Sequence, residues 1–334
     1  MKKLKIGLNG FGRIGRAFAR IACERNTVDL MIINTRKTQP QMLAYLLKHD
    51  SVYHQYGKEV SAGETTITVG DRTIATTCAD VPESIPWEKY GVDVVVDATG
   101  AFVKKADLMR HIKGTVSQVI LTAPAKDTET PHVVLGVNEH SVDLHAPVLS
   151  MASCTTNCAG PMFKVLHDHF KVVSGFLTTA HAFTLTQSLL DDAGKNVERS
   201  RAAGLNIIPS TTGAAKAVAR VIPELEGKID GMAIRVPVPT VSFTDITAVV
   251  EKATTVDEVQ QAFETSCQST FSGIMKYEKE ILVSSDYIGS PYSCIFDANY
   301  TKVINGNFIK VFGWYDNEWG YATRLVDLVE KIAS

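Results

Sequence analysis

The sequence predicts an α/β chain with a doubly wound Rossmann domain over residues 1–152, a second strand-and-helix domain over 153–317 and a closing helix over 318–334. A strand running straight into a glycine turn and a helix opens the chain. Apolar strands then alternate with helical stretches, as in a parallel sheet. The second half carries longer strands, one of them alternating as an antiparallel strand does. With 334 residues and 45% hydrophobic content, there is material for two cores.

Residues 4–9 form the first strand, and Gly10-Phe11-Gly12-Arg13-Ile14-Gly15 follows at once. Residues 16–25 read as a helix with Ala17, Phe18 and Ile21 on one face. Glycine is needed there because the chain must turn tightly, let backbone N–H groups reach a pyrophosphate and pack helix on strand without Cβ interference. A second strand over residues 28–34 ends in Asn34-Thr35-Arg36-Lys37. A dinucleotide site commonly places a carboxylate there to take the ribose diol, and this chain has none. Arg36 and Lys37 are suited to bind a 2′-phosphate, so NADP joins NAD as a candidate cofactor; a plain solvated loop is the other reading. Residues 40–48 read as a helix, residues 65–69 and 72–76 as a hairpin over Gly70-Asp71, and residues 92–97 as a buried parallel strand leading to Thr99-Gly100. Residues 119–122 repeat that pattern and place Thr122 at the same sheet edge.

Around residue 153 an extended stretch gives way to a helix in Ser153-Cys154-Thr155-Thr156-Asn157-Cys158. A thiol at a helix N-terminus meets unpaired N–H groups and the positive dipole end, which favour thiolate and make Cys154 a nucleophile. Ser153 supplies the N-cap oxygen and Cys158 shares the helix face. Alone, the segment serves equally as a buried structural cysteine. Pro161 is expected to kink this helix or mark a distorted turn in it, and His167 and His169 to lie on its surface. Residues 172–183 form a long strand whose end carries His181, the candidate base for Cys154. Pro209-Ser210-Thr211-Thr212-Gly213 precedes a helix over 214–220 and suits an anion. Arg235 lies in an apolar strand, where a permanent charge is paired or holds a ligand anion. Strands over 241–250 and 308–314 flank a helix over 255–271.

A formal charge of −2 gives no reason to expect nucleic acid or an acidic membrane as partner. Cysteines at 23, 78, 154, 158, 267 and 294 make neither a disulfide framework nor a zinc knuckle, so no metal and a reducing, cytoplasmic compartment are expected. No apolar run approaches the ~18 residues of a membrane span.

Asn9-Gly10-Phe11-Gly12-Arg13-Ile14-Gly15-Arg16, Ala152-Ser153-Cys154-Thr155-Thr156-Asn157-Cys158, Ser210-Thr211-Thr212-Gly213-Ala214-Ala215-Lys216 and Trp314-Tyr315-Asp316-Asn317-Glu318-Trp319-Gly320-Tyr321 together resemble phosphorylating glyceraldehyde-3-phosphate dehydrogenases, from end to end. The resemblance implies a homotetramer, an α+β catalytic domain with a mixed, largely antiparallel sheet, and a C-terminal helix packed back on the Rossmann domain. It implies Cys154 as the nucleophile that forms a hemithioacetal and then a thioester, with His181 as base. Gly10, Phe11, Gly12, Arg13 and Ile14 match the pyrophosphate turn. Asn34, Thr35, Arg36, Thr99 and Thr122 match cofactor-binding positions, and Asn317 matches the residue that orients the nicotinamide. One phosphate pocket matches Thr184 and Arg235; the other matches Ser153, Thr155, Thr212 and Gly213, with Arg199 nearby.

Three departures stand out. Thr35 replaces the aspartate of NAD-specific relatives, and Ala193 replaces a proline that crowds the adenine ribose; both open the 2′ position. Leu185 and Thr186 replace a more polar pair, which bears on contacts between subunits. Erythrose-4-phosphate dehydrogenase, whose acyl-enzyme is hydrolysed, is the nearest competing activity. A catalytically idle dinucleotide-binding interaction protein is the second alternative, and a cofactor-free cysteine hydrolase leaves the glycine turn unexplained.

Overall fold

A computed structural model describes residues 3–194 and 196–334. Two compact units emerge: one comprises the chain up to Val133 with Glu139–Ala152 and Ala322–Ser334, the other Val134–Asn138 with Ser153–Tyr321. The short segment 134–138, expected in the first domain, belongs to the second because Val134 and Val137 sit 3.5 and 3.6 Å from where a Cβ on Gly160 would point.

In the first unit the elements run β1 (Lys5–Asn9), α1 (Arg13–Arg25), β2 (Asp29–Thr35), α2 (Pro40–Lys48), β3 (Val60–Ala62), β4 (Thr66–Val69), β5 (Arg72–Cys78), β6 (Val94–Asp97), α3 (Lys105–Leu108), β7 (Gln118–Leu121) and β8 (Val148–Ser150). They build one sheet in the order β3-β4-β5-β2-β1-β6-β7-β8. From β5 to β8 it is parallel, and β6 and β7 are buried at every position, as a strand covered on both faces must be. β4 and β5 form the hairpin over Gly70-Asp71, with Val69 opposite Arg72.

The second unit runs α4 (Cys154–Phe170), β9 (Val172–Ala182), β10 (Ile208–Thr211), α5 (Ala214–Val221), β11 (Ile229–Val236), β12 (Ser242–Val250), α6 (Val256–Gln268), β13 (Met275–Glu278), β14 (Cys294–Ile304) and β15 (Phe308–Tyr315). Its sheet has the order β10-β11-β9-β12-β15-β14-β13, mixed and mostly antiparallel. β12 alternates strictly between buried and half-buried residues, the signature of a sheet with one face on the core. α4 continues as one helix through Pro161, so the expected kink does not break it, and His167 is half-buried where a surface position was expected. The final helix, α7 (Trp319–Ile332), ties into the first unit beyond residue 321, where Arg25 pairs with Asp327 and Glu330. Among the described residues no helix is long and apolar enough to cross a membrane, and no cluster of His, Cys, Asp or Glu has metal-binding form.

Candidate active site

Ala152 adopts a left-handed φ of 52°, uncommon for a residue with a Cβ, and turns the chain from β8 into α4. Ser153 then caps the helix: its Oγ accepts the N–H of Thr156 at 3.0 Å, and Asn157 Nδ2 donates to its carbonyl at 2.9 Å. Cys154 is thereby the first helical residue, with Sγ 3.5 Å from Nε2 of His181.

The other face of the His181 ring fixes its tautomer. Nδ1 lies 2.7 Å from the carbonyl oxygen of Ala182, and one Arg235 nitrogen lies 3.0 Å from that oxygen and 2.8 Å from Nδ1. Guanidinium only donates and a carbonyl only accepts, through two lone pairs. Nδ1, the closer of the two to that oxygen, is assigned as its donor, because the opposite tautomer would set two acceptors 2.7 Å apart; Arg235 shares the oxygen, and the lone pair of Nε2 then faces the sulfur. Parallel pairing of β11 with β9 makes this arrangement, since Arg235 is the register partner of His181.

Burial dominates the charge states. It pushes the Cys154 thiol up to about 11, against the pull of Arg235 and of hydrogen bonds from Thr155. Burial thus works against the thiolate that the helix end and Arg235 favour. Burial and the charges of Arg235 and Arg199 bring His181 down to about 3, so its imidazole is neutral and free to accept a proton.

Burial, together with the nearby charge of Arg199, holds Arg235 below its ordinary value. Arg199 donates to Ser210 Oγ at 2.9 and 3.1 Å, and Nε of Arg235 has no partner among the described residues. Neither guanidinium has a carboxylate partner among those residues, which is the state of a site built to receive anions. Gly213 caps α5 with no atom within 4 Å of an added Cβ, and Thr212 Oγ1 accepts the Ala214 N–H at 3.2 Å. Thr184 is paired with Thr186, hydroxyl to hydroxyl at 2.8 Å, on an exposed loop.

Asn317 is buried, and its Oδ1 accepts from Ser242 Oγ at 3.0 Å, which turns the amide nitrogen into its free donor end. Ser242 in turn accepts the Ala182 N–H at 3.0 Å. Val241, just before it, has φ 64°, a strained value for a β-branched residue. Asp316 accepts the N–H groups of Glu318 and Trp319 at 3.0 and 2.9 Å, so the aspartate of the Trp-Tyr-Asp-Asn motif starts α7. Ser242 escaped the sequence reading because a strand serine carries no spacing signal.

In the first unit the glycine turn has the form a pyrophosphate requires. A Cβ on Gly10, at φ +96°, would lie 2.8 Å from Ala98 backbone atoms, and one on Gly15 would lie 2.3 Å from the Gly10 carbonyl. At Gly12, by contrast, nothing lies within 4 Å, leaving an open cradle at the N-terminus of α1. Arg13 is drawn to Asp50 and lies over the Tyr53 ring, so it offers the turn its backbone. Asn34 donates to Asn9 Oδ1 at 2.8 Å and to the Ala79 carbonyl at 3.0 Å; Thr35 lies 3.8 Å from the Cys78 sulfur. Arg36 is exposed and 3.5 Å from Asp80. Thr99 donates to Asp97 through its N–H and hydroxyl, and the N–H of Thr122 reaches the Asp97 carbonyl at 3.1 Å.

Residues 153–317 match the family model of the glyceraldehyde 3-phosphate dehydrogenase C-terminal domain, and residues 4–105 match that of its NAD binding domain. The chain belongs to the glyceraldehyde-3-phosphate dehydrogenase family. It is 46% identical to a glyceraldehyde-3-phosphate dehydrogenase of Streptomyces coelicolor over 97% of each chain. It is 46% identical to that of Geobacillus stearothermophilus, over 99% of this chain and 98% of the relative. A cytosolic glyceraldehyde-3-phosphate dehydrogenase of Ginkgo biloba is 44% identical, again over 99% and 98%. The family's two-domain α/β architecture, a Rossmann domain and a domain on a mixed sheet, is the one the sequence predicted.

Proposed function

We propose that this chain is a phosphorylating glyceraldehyde-3-phosphate dehydrogenase, an oxidoreductase of glycolysis and gluconeogenesis that converts glyceraldehyde 3-phosphate, phosphate and NAD(P) to 1,3-bisphosphoglycerate. One observation carries the reading: a cysteine facing an unprotonated imidazole nitrogen, beside two arginines without carboxylate partners among the described residues.

Nε2 of His181 takes the Cys154 proton as the sulfur attacks the aldehyde carbon, giving a hemithioacetal. Proton transfer there replaces two unfavourable separate ionisations with one internal transfer. His181 passes that proton to the former aldehyde oxygen and takes it back from the hydroxyl as the carbon is oxidised to a thioester on Cys154. Bound NAD(P) supplies the hydride acceptor; Gly10, Phe11, Gly12, Arg13 and Ile14 hold its pyrophosphate, Asn34, Thr35, Arg36, Thr99 and Thr122 line its adenosine and central parts, and Asn317 donates to the nicotinamide amide. An oxygen of inorganic phosphate attacks the thioester carbon, the C–S bond breaks, and the Cys154 sulfur leaves and recovers its proton. Backbone N–H groups at the start of α4 stabilise both tetrahedral oxyanions.

Thr184 and Arg235 hold the phosphate of the triose. Ser153 and Thr155 flank Cys154 in sequence, so an anion held by them, by Thr212 and Gly213 and by Arg199 stands next to the acyl carbon; that pocket takes the attacking phosphate. Thr35, Arg36 and Ala193 leave room and charge for a 2′-phosphate, so NADP is accepted beside NAD. Leu185, Leu189, Leu190, Val197, Leu205 and Ile207 are all more than 70% exposed in the single chain, and an apolar loop of this kind supports assembly into a homotetramer. The cytosolic designation of the plant relative supports a cytoplasmic location. Omitting phosphate from the assay tests the activity directly, because an erythrose-4-phosphate dehydrogenase turns over by hydrolysis without it.

A further inference from the structure

One buried hydroxyl joins the residue that clamps the base to the amide of Asn317. Ser242 opens β12, which lies between β9 and β15, so its side chain reaches the ends of both neighbours. Ala182 ends β9, and the register partner of Ser242 on β15 is Tyr315, two residues before Asn317. The Ala182 N–H donates to Ser242 Oγ at 3.0 Å, and Ser242 Oγ lies 3.0 Å from Asn317 Oδ1. Ser242 and Asn317 are buried, and Val241, also buried, leads the chain into Ser242 in its left-handed conformation. A β-branched residue held there persists only because its surroundings over-determine it.

A serine hydroxyl carries one proton and two lone pairs. One lone pair takes the Ala182 N–H, and the proton goes to the acceptor the structure gives it, the Asn317 amide oxygen. With the amide turned the other way, Ser242 would accept twice and its own proton would be buried without a partner. The amide is therefore locked with its nitrogen as the outward end, and no described residue takes the hydrogens of that nitrogen.

We propose that Ser242 is a positioning residue that holds Asn317 as a hydrogen-bond donor, so that the nicotinamide site selects a pyridine bearing an acceptor at its 3-position and rejects one bearing only a donor. The inference rests on the reading of Asn317 as the residue that meets the nicotinamide. Turning the amide toward a donor breaks the Ser242 hydrogen bond and strands that hydroxyl, and an unmatched buried polar group discriminates strongly between otherwise similar ligands. Ala182 holds Ser242 through its N–H and His181 through its carbonyl, so the amide that reads the ring and the imidazole that takes the proton share one anchor.

The test measures the dissociation constants of two dinucleotides by calorimetry, in the intact enzyme. 3-Acetylpyridine adenine dinucleotide offers an acceptor at the ring position, and 3-aminopyridine adenine dinucleotide offers a donor there. The wild type is expected to prefer the acetyl compound. In Ser242→Ala the amide turns freely, and the preference is expected to shrink by about ten-fold, the value of one hydrogen bond. Ser242→Cys, whose thiol is a weak donor, serves if the alanine variant does not fold, and is expected to shift the ratio the same way. Ser242→Thr keeps a hydroxyl and is expected to retain the wild-type preference. Lost packing alone weakens both dinucleotides together, so a ratio unchanged from the wild type in the alanine or cysteine variant overturns the proposal. Asn317→Leu is the reference. If it leaves both dissociation constants at their wild-type values, Asn317 does not meet the ring, and that reading falls together with the proposal. If it abolishes the preference while Ser242→Ala keeps it, the role of Ser242 alone falls.

Discussion

His181 presents Nε2 to Cys154 Sγ at 3.5 Å while its Nδ1–H is committed to the Ala182 carbonyl at 2.7 Å. The contact fixes which nitrogen is basic, and it does so through backbone that no side-chain substitution at Ala182 alters. His181→Asn removes the acceptor for the thiol proton. Acyl-enzyme formation, followed as the pre-steady-state burst of reduced cofactor, is expected to slow by about 10²–10⁴-fold, with the cofactor dissociation constant unchanged.

The same burial sets a pH dependence. Because His181 is brought down to about 3 from an unfolded value near 6.5, its neutral form stabilises the fold fully above pH 6.5, and that contribution is lost as pH falls towards 3. His181→Asn is expected to flatten part of the acid fall in Tm across that window. Cys154, pushed up to about 11, works on the alkaline side: its alkylation by iodoacetamide in the cofactor-free protein is expected to keep accelerating above pH 8. A rate that has levelled off by pH 7 would mean the pair rests as thiolate and imidazolium.

Arg235 lowers both Cys154 and His181. Arg235→Gln removes a charge that also donates to Ala182, so the alkylation profile is expected to move to higher pH. The KM for the triose phosphate is expected to rise by about 10- to 100-fold, as for a lost charge-assisted hydrogen bond. A changed KM with an unmoved alkylation profile would show that Arg235 binds substrate without tuning the sulfur.

Gly12 and Gly15 separate binding from folding. Gly12→Ala meets nothing within 4 Å, so its Tm is expected to stay within a degree or two while dinucleotide affinity falls, because the methyl fills the phosphate cradle. Gly15→Ala drives a Cβ to 2.3 Å from the Gly10 carbonyl and is expected to cost about 1–3 kcal/mol of stability as well. Calorimetry and cofactor titration of the two variants read the difference.

Thr35→Asp places a carboxylate at the end of β2, where it accepts from a ribose diol and repels a 2′-phosphate. NADP efficiency is expected to drop by about ten-fold or more relative to NAD. Equal NADP kinetics in that variant would remove Thr35 from cofactor choice.

Much of this was legible in the residues because short-range physics made it so. The glycine turn, the β4–β5 hairpin over Gly70-Asp71 and the capped start of α4 all follow from local chemistry, and Cys154, His181 and Arg235 each carried a reason to be unusual. Pro209-Ser210-Thr211 was read only as the entrance to a helix, because Pro209 and the run of hydroxyls mask a strand; the antiparallel register of β10 with β11 supplies what its own sequence lacks. Thr179 and Tyr315 are 136 positions apart, and only β-sheet pairing brings their hydroxyls together. A helix end is visible in the sequence, whereas the burial that works against its pull on Cys154 is not.

The most direct test omits phosphate. Mixing the enzyme with glyceraldehyde 3-phosphate and NAD is expected to give a burst of at most one NADH per chain, with the acyl group found on Cys154 by mass spectrometry, and turnover resuming when phosphate is added. Sustained turnover without phosphate, or a burst of the same size from Cys154→Ser, would contradict a thioester carried by Cys154.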